Sequence, residues 1–339
     1  MLKLKRTPAP GRKDGLSIYD DFVQVHERVF DLPRNGAHSG PAFLPWHRLF
    51  LHAFERALQR VSGDDSIAIP YWDWTNPAST MALFSPDLMG GTGDPKRRHA
   101  VVDGPFRKGR WKLRVSPPLV GAGPGGGPPE PVPSPFLPPP TSGGLPIVGA
   151  GGGGGAGAPV AFLQRDLGGA AEAGVKHLPT AADMTNVLNV AAYDSRPWSE
   201  NSDPRYSFRC ALEGWGRPDA PEDVGAHNAV HVWVGGAYRD QGELETGTIA
   251  SAASPNDPVF WSIHANVDRL WTAWEASHGF LYDAGRSAGA HHHLHDKFAL
   301  LKGLGRDIGD IDLAAGTLTP ADLLDPAPWE APYQAPLAR

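Results

Sequence analysis

Residues 254–271 read SPNDPVFWSIHANVDRLW, a helix start followed by an apolar face with one polar ring on it. Asn256-Asp257-Pro258 is the start signal, Trp261, His264, Val267, Trp271 and Trp274 follow at three-and-four spacing, and Gly279 closes the last turn. An imidazole on such a face costs free energy unless its nitrogens find partners, so His264 is either hydrogen-bonded in a core or bound to a metal. Three more segments pose the same choice. Tyr19 to Phe30 has one apolar face with His26 in its middle. Pro45 to about Val61 opens with proline in a first turn and carries His47. Val224 to Val234, stopped by Gly235-Gly236, carries His227 and His231. Strand signals are few and short, which predicts a mainly α protein with a four-helix-bundle core, long loops and few short strands.

The imidazoles sort into two trios. His227 and His231, four residues apart, project from one helix face, and His264 on a facing helix completes one set. His26, His47 and His38, which lies in the loop Gly36 to Phe43, form the other. His52 points about 140° away from His47 on the same helix, and His278 lies too far along its helix from His264 to share an ion. His291, His292, His293 and His295 read as a solvated polar loop, and His99 and His177 as surface residues. Two trios of neutral imidazoles with no carboxylate or thiolate suit copper best. Hydrolytic dizinc centres usually add Asp or Glu, and remain the alternative. Three ligands leave each ion an open position, as a catalytic site needs.

Composition narrows the rest. The 339 residues carry 31 Lys and Arg against 37 Asp and Glu, a net charge of −6 with no long basic block, which argues against nucleic acid as a partner. No apolar run reaches bilayer length, so no membrane span is expected. A single cysteine, Cys210, excludes an intrachain disulfide. Met1 to Pro10 lacks the apolar stretch of a secretory signal, which predicts a cytoplasmic protein or one exported with a partner. Gly121 to Val160 holds 14 Gly and 11 Pro with Glu130 as its one charge. Residues 116–160 therefore read as a disordered loop insertion within a single catalytic domain over 1–339, and residues 284–339 as a C-terminal extension.

Residues 37–59 (AHSGPAFLPWHRLFLHAFERALQ), 70–74 (PYWDW), 227–236 (HNAVHVWVGG) and 254–271 together resemble the two copper-binding regions of tyrosinases, most closely the compact bacterial ones. The likeness covers roughly residues 19–115 and 160–285. It implies two copper ions, the first on His26, His38 and His47, the second on His227, His231 and His264, the same six reached from spacing. It implies hydroxylation of monophenols to o-diphenols and their oxidation to o-quinones, with O2 as co-substrate and a small phenol as substrate. A catechol or o-aminophenol oxidase without the hydroxylation step and a hemocyanin-like O2-binding protein are the alternatives.

In related tyrosinases an Asn after the first His of the second site works with an upstream Glu to hold a water that takes the phenol proton, and the matching residues here are Asn228 and Glu213. By position, Phe260 stacks on an imidazole, Asp268 accepts a ring N–H or pairs with an Arg, and Ser251 leaves access open where diphenol oxidases place a bulky aromatic. Gly36 and Ala37 precede His38, so the thioether that many relatives form there is absent. No long C-terminal shielding domain follows, so the site is either open or covered by a separate copper-delivering chaperone chain, as in some bacterial systems.

Overall fold

In the computed structural model, residues 1–11, 13–30, 36–115, 147–148, 160–217, 219–220, 223–240, 243–286, 288–298 and 318–326 are described. Their helices are α1 (Leu2–Arg6), α2 (Ile18–Phe30), α3 (Phe43–Ser62), α4 (Pro77–Leu83), α5 (Ala181–Leu188), α6 (Phe208–Glu213), α7 (Ala226–Gly235) and α8 (Val259–His278). The strands are short. β1 (Gly93–Asp94) pairs antiparallel with β2 (Ala100–Val101), and β5 (Glu243–Thr246) lies between antiparallel β4 (Ala237–Asp240) and parallel β3 (Ile147–Val148). Apart from β3 and Val160, the Gly/Pro-rich stretch 116–160 lies outside the described residues. No helix among the described residues is long and apolar enough to cross a membrane.

The bundle of α2, α3, α7 and α8 forms because each helix buries an aromatic or aliphatic face. Phe54 of α3 stacks on Trp261 of α8 at 3.5 Å and 1°, and the Phe22 ring of α2 meets both edge-on at 5.2 and 5.7 Å. Edge-on pairs of this kind add about 0.5–1.5 kcal/mol each beyond the area buried. Tyr19 donates its hydroxyl hydrogen to the Pro255 carbonyl at 2.6 Å and receives the Trp261 indole N–H at 3.0 Å, so this apolar layer has no unsatisfied tip.

The start of α8 is doubly fixed. Asp257 Oδ1 accepts the Val259 N–H at 3.0 Å, and the same carboxylate is held by Arg165 through two bonds of 2.6 Å. At the other end Gly279, at φ +84°, takes a left-handed turn that a side chain disfavours. α3 begins at Phe43, two residues before the proline expected to open it, because the Phe43 N–H donates to Gly40 and starts the turn early.

Arg48, next to His47, ties α3 to α8 and to the C-terminal extension. Its Nε donates to Asp268 at 2.7 Å, Nη2 to Glu275 at 3.0 Å and Nη1 to the Leu323 carbonyl at 2.7 Å, and its guanidinium lies 3.6 Å over Trp271. Removing one member of a buried ionic group strands the others, at a cost of about 3–5 kcal/mol. Arg48→Ala is expected to lower unfolding stability by that amount, read from the urea midpoint of the copper-free protein. An unchanged midpoint would show that water replaces the guanidinium at no cost.

The described residues of the extension, 284–286, 288–298 and 318–326, pack onto the fold. Leu323 is fully buried, the Phe298 N–H donates to the Leu318 carbonyl, and Gly285 lies so close to Trp198 that a Cβ there would sit 2.0 Å from the indole.

Candidate metal centre

The six histidines converge as two trios. In each, one nitrogen per ring lies within 4.8 Å of the other two, and all six residues are 3% exposed or less. His26 comes from α2, His38 from the loop before α3, His47 from α3 one turn after its start, His227 and His231 from α7, and His264 from α8. The trios face one another, with the His47 and His264 rings stacked at 4.2 Å and 10°.

Backbone carbonyls set the orientation of most rings. His26 Nδ1–H donates to Ala252 at 2.7 Å, His47 to Phe43 at 2.8 Å and His231 to Ile249 at 2.8 Å. His227 Nδ1–H is shared between the Glu213 carbonyl at 3.2 Å and Asn228 Oδ1 at 3.0 Å. A proton fixed on Nδ1 leaves the Nε2 lone pair for a metal, the usual role of partners behind metal-binding histidines. The Nε2 atoms of His26 and His47 are buried with no hydrogen-bond partner.

Two further observations test whether copper fits. His227 Nε2 and His264 Nε2 are 3.2 Å apart. Two imidazoles bound at about 2.0 Å to one tetrahedral ion would place their nitrogens about 3.3 Å apart. Burial also keeps the rings neutral. It lowers His26 to about 4 and His227 to about 3, and holds His38, His47, His231 and His264 well below the ordinary imidazole value. A neutral ring is the ligating form. No carboxylate or thiolate joins either trio among the described residues, so the donors fit copper.

The family model described as the common central domain of tyrosinase matches residues 16–277. The tyrosinase of Streptomyces antibioticus is 39% identical over 285 residues, 82% of this chain and 77% of its own. The chain belongs to the tyrosinase family. The Streptomyces lincolnensis tyrosinase is 38% identical over 267 residues, 77% of this chain and 73% of its own. The grixazone synthase of Streptomyces griseus subsp. griseus is 33% identical over 324 residues, 91% of this chain and 87% of its own. The protein is a polyphenol oxidase of the tyrosinase family with a dinuclear copper site.

Around this tyrosinase centre the remaining residues take definite places. Phe260 lies 4.2 Å from the His264 ring and meets His26 edge-on at 5.1 Å, so it spans both trios. Phe43, which the sequence did not single out, does the same with His47 at 4.9 Å and His227 at 5.1 Å. Ser251 is buried and donates its hydroxyl hydrogen to the Thr248 carbonyl at 2.9 Å. Asn228 Nδ2 is buried with no hydrogen-bond partner.

Glu213 touches both halves of the site. Its Oε1 accepts the Ser39 N–H at 2.6 Å, next to His38, while its carbonyl receives His227. Its Oε2 accepts from Arg209 at 2.9 Å, and Arg209 also pairs with Asp194. Burial pushes the Glu213 carboxyl up to about 7 against the pull of Arg209 and the Ser39 N–H.

One expectation resolves to one of its two branches, and another needs correction. Asp268 pairs with Arg48, and His264 Nδ1 has no hydrogen-bond partner, so the second of the two roles foreseen for Asp268 is the one it takes. His292, expected in a solvated loop, is 4% exposed and accepts the Ala42 N–H at 3.1 Å, because the extension folds back over the loop of His38. Arg209 is a further residue of the site, and its position four residues before Glu213 on one helix is the sequence signal for that pairing.

Proposed function

We propose that the chain hydroxylates monophenols to o-diphenols and oxidises these to o-quinones, with O2 as co-substrate, and that His26, His38, His47, His227, His231 and His264 are the copper ligands. When bound, the copper pair supplies the redox chemistry that activates O2 and accepts electrons from the phenol. The chain's part is to bind, orient and deprotonate. A phenol of pKa near 10 is protonated at neutral pH, so an acceptor has to stand beside it.

The observation that carries this reading is the convergence of Glu213 and Asn228 on one ring. The Glu213 carbonyl and Asn228 Oδ1 share the His227 Nδ1–H, which leaves the buried Asn228 Nδ2 with a donor to spend. In the proposed arrangement that amide and the Glu213 carboxylate hold the water that takes the phenolic proton. Phe260 and Phe43 pack against rings of both trios, and in this reading the small side chain of Ser251 leaves the phenol access from the side of His26, whose Nδ1 is held by the neighbouring Ala252.

A second reading, oxidation of o-diphenols or o-aminophenols without hydroxylation, draws support from one contact pattern. Both Glu213 oxygens already accept a bond, from Ser39 and Arg209, so a water has to share an occupied oxygen even though burial leaves the carboxylate more basic than usual. Relatives at comparable identity carry two names, tyrosinase and grixazone synthase, so the substrate ratio turns on the site's own residues. The test is to load the copper-free protein, count ions and compare initial rates on a monophenol, its o-diphenol and an o-aminophenol. Two coppers per chain and monophenol turnover with a starting lag are expected. Turnover of the o-diphenol alone selects the second reading. Because every ligand ring is 3% exposed or less, we also propose that a separate chaperone chain hands the ions in.

A further inference from the structure

Five of the six proposed ligands sit on helices, but His38 sits on the loop 36–42, and the next residue, Ser39, is held at φ +59°, a left-handed conformation that a non-glycine residue adopts at a cost. Such a loop keeps its shape only where its surroundings fix it. The contacts on it are specific. The Ser39 N–H donates to Glu213, the Pro41 carbonyl accepts from the Tyr193 hydroxyl at 2.6 Å, and the Ala42 N–H donates to His292 Nδ1 at 3.1 Å. The His292 ring also occupies the space above Gly40, where a Cβ would meet its Cε1 at 2.7 Å and its Nδ1 at 2.8 Å. His292 is itself set in place by Tyr282, whose hydroxyl donates to the His292 carbonyl at 2.6 Å and whose ring packs on Tyr193 at 4.8 Å. Burial raises both phenols well above their ordinary value, so both hydroxyls stay donors.

We infer that His292 is a positioning residue for the first copper site, acting through the loop of His38 as one arm of a clasp formed by Tyr193, Tyr282 and His292. This rests on His38 being a copper ligand, as proposed above. It assigns a function to a segment beyond residue 277, where the family match ends. It also gives a reason for glycine at position 40, whose backbone is not left-handed and would otherwise accept a side chain.

The test uses the full chain with copper as the probe, and needs no activity readout. His292→Leu removes the acceptor, while His292→Asn restores an oxygen near the place of Nδ1. Outer partners of metal-binding histidines are worth about 10–100-fold in affinity. His292→Leu is expected to weaken one of the two copper affinities at least about 10-fold, leave the other unchanged, and speed amide hydrogen exchange at Ala42 in the copper-free protein. His292→Asn is expected to restore both, and Gly40→Ala to reproduce the Leu phenotype by pushing the ring aside. Combined with His292→Ala, Gly40→Ala is expected to add nothing further, the signature of two residues acting through one contact.

The inference is overturned if His292→Leu keeps both affinities and the Ala42 protection. It is equally overturned if exchange rises across the whole chain and His292→Asn fails to restore it, since that is general destabilisation. His38→Ala serves as the separate control, because two tightly bound coppers in that variant would refute the ligand assignment itself.

Discussion

His264→Ala is expected to leave about one copper per chain and to bring o-diphenol oxidation below detection. The His264 ring faces His227 across 3.2 Å and stacks on His47 of the other trio, so it belongs to one site and borders the second. Its loss leaves two imidazoles where the proposed ligand set has three. Losing a mere outer partner costs about 10–100-fold in metal affinity, so losing a ligand exceeds about 100-fold.

The copper-free protein should respond differently. The substitution opens a cavity beside Phe260, but it also removes an imidazole whose Nδ1 is unsatisfied and whose Nε2 confronts another nitrogen. These effects oppose one another, so stability without metal should change far less than stability with it. A ligand present at 100 times its dissociation constant stabilises a fold by about 2.7 kcal/mol, and this is the increment that disappears for the lost ion. Metal analysis and thermal unfolding with and without copper measure both quantities. His47→Ala, in the other trio, should show the same one-ion stoichiometry. A variant that still holds two ions and oxidises diphenol would show that the trios are not the copper sites.

The helices were legible because burial writes itself into spacing. Trp261, His264, Val267 and Trp271 recur as one face of α8, and the separation of His227 and His231 by one turn placed both rings together. What spacing cannot carry is the backbone behind the rings. That Ala252 and Ile249 present carbonyls to His26 and His231 depends on how the segment before α8 turns, and any side chain at those positions offers the same carbonyl. Asp268 shows a different limit. Its place four residues after His264 suits a ring N–H as well as an arginine, and only the packing of α3 on α8 brings Arg48 to it. His292 was misplaced because a run of histidines in a polar stretch has no periodicity to mark one of them as buried. Its burial comes from contacts with Gly40 and Ala42, some 250 positions away in sequence.

Glu213→Gln is expected to lower kcat/KM for a monophenol by at least about 100-fold, the low end of what a positioned acid–base group contributes, while two coppers remain bound. The substitution keeps the side-chain shape and one carbonyl oxygen, so one of the two bonds from Ser39 and Arg209 persists. The other becomes donor facing donor, and a buried guanidinium loses part of its compensation although Asp194 still pairs with it. Some loss of stability therefore accompanies the kinetic effect, and the two have to be separated.

Comparison with Asn228→Leu separates them. That variant leaves the Glu213 carboxylate and its partners in place, and the His227 Nδ1–H retains the Glu213 carbonyl as acceptor at 3.2 Å. It removes the unpartnered amide proposed to hold the water. If proton removal is the role of the pair, both variants lose monophenol turnover more than o-diphenol turnover, and both keep two coppers. If Glu213 serves instead as a tie between the loop of His38 and the ring of His227, Glu213→Gln loses copper and both activities together, while Asn228→Leu is nearly silent. The ratio of the two rates in the two variants, with copper counted in each, decides between a base and a brace.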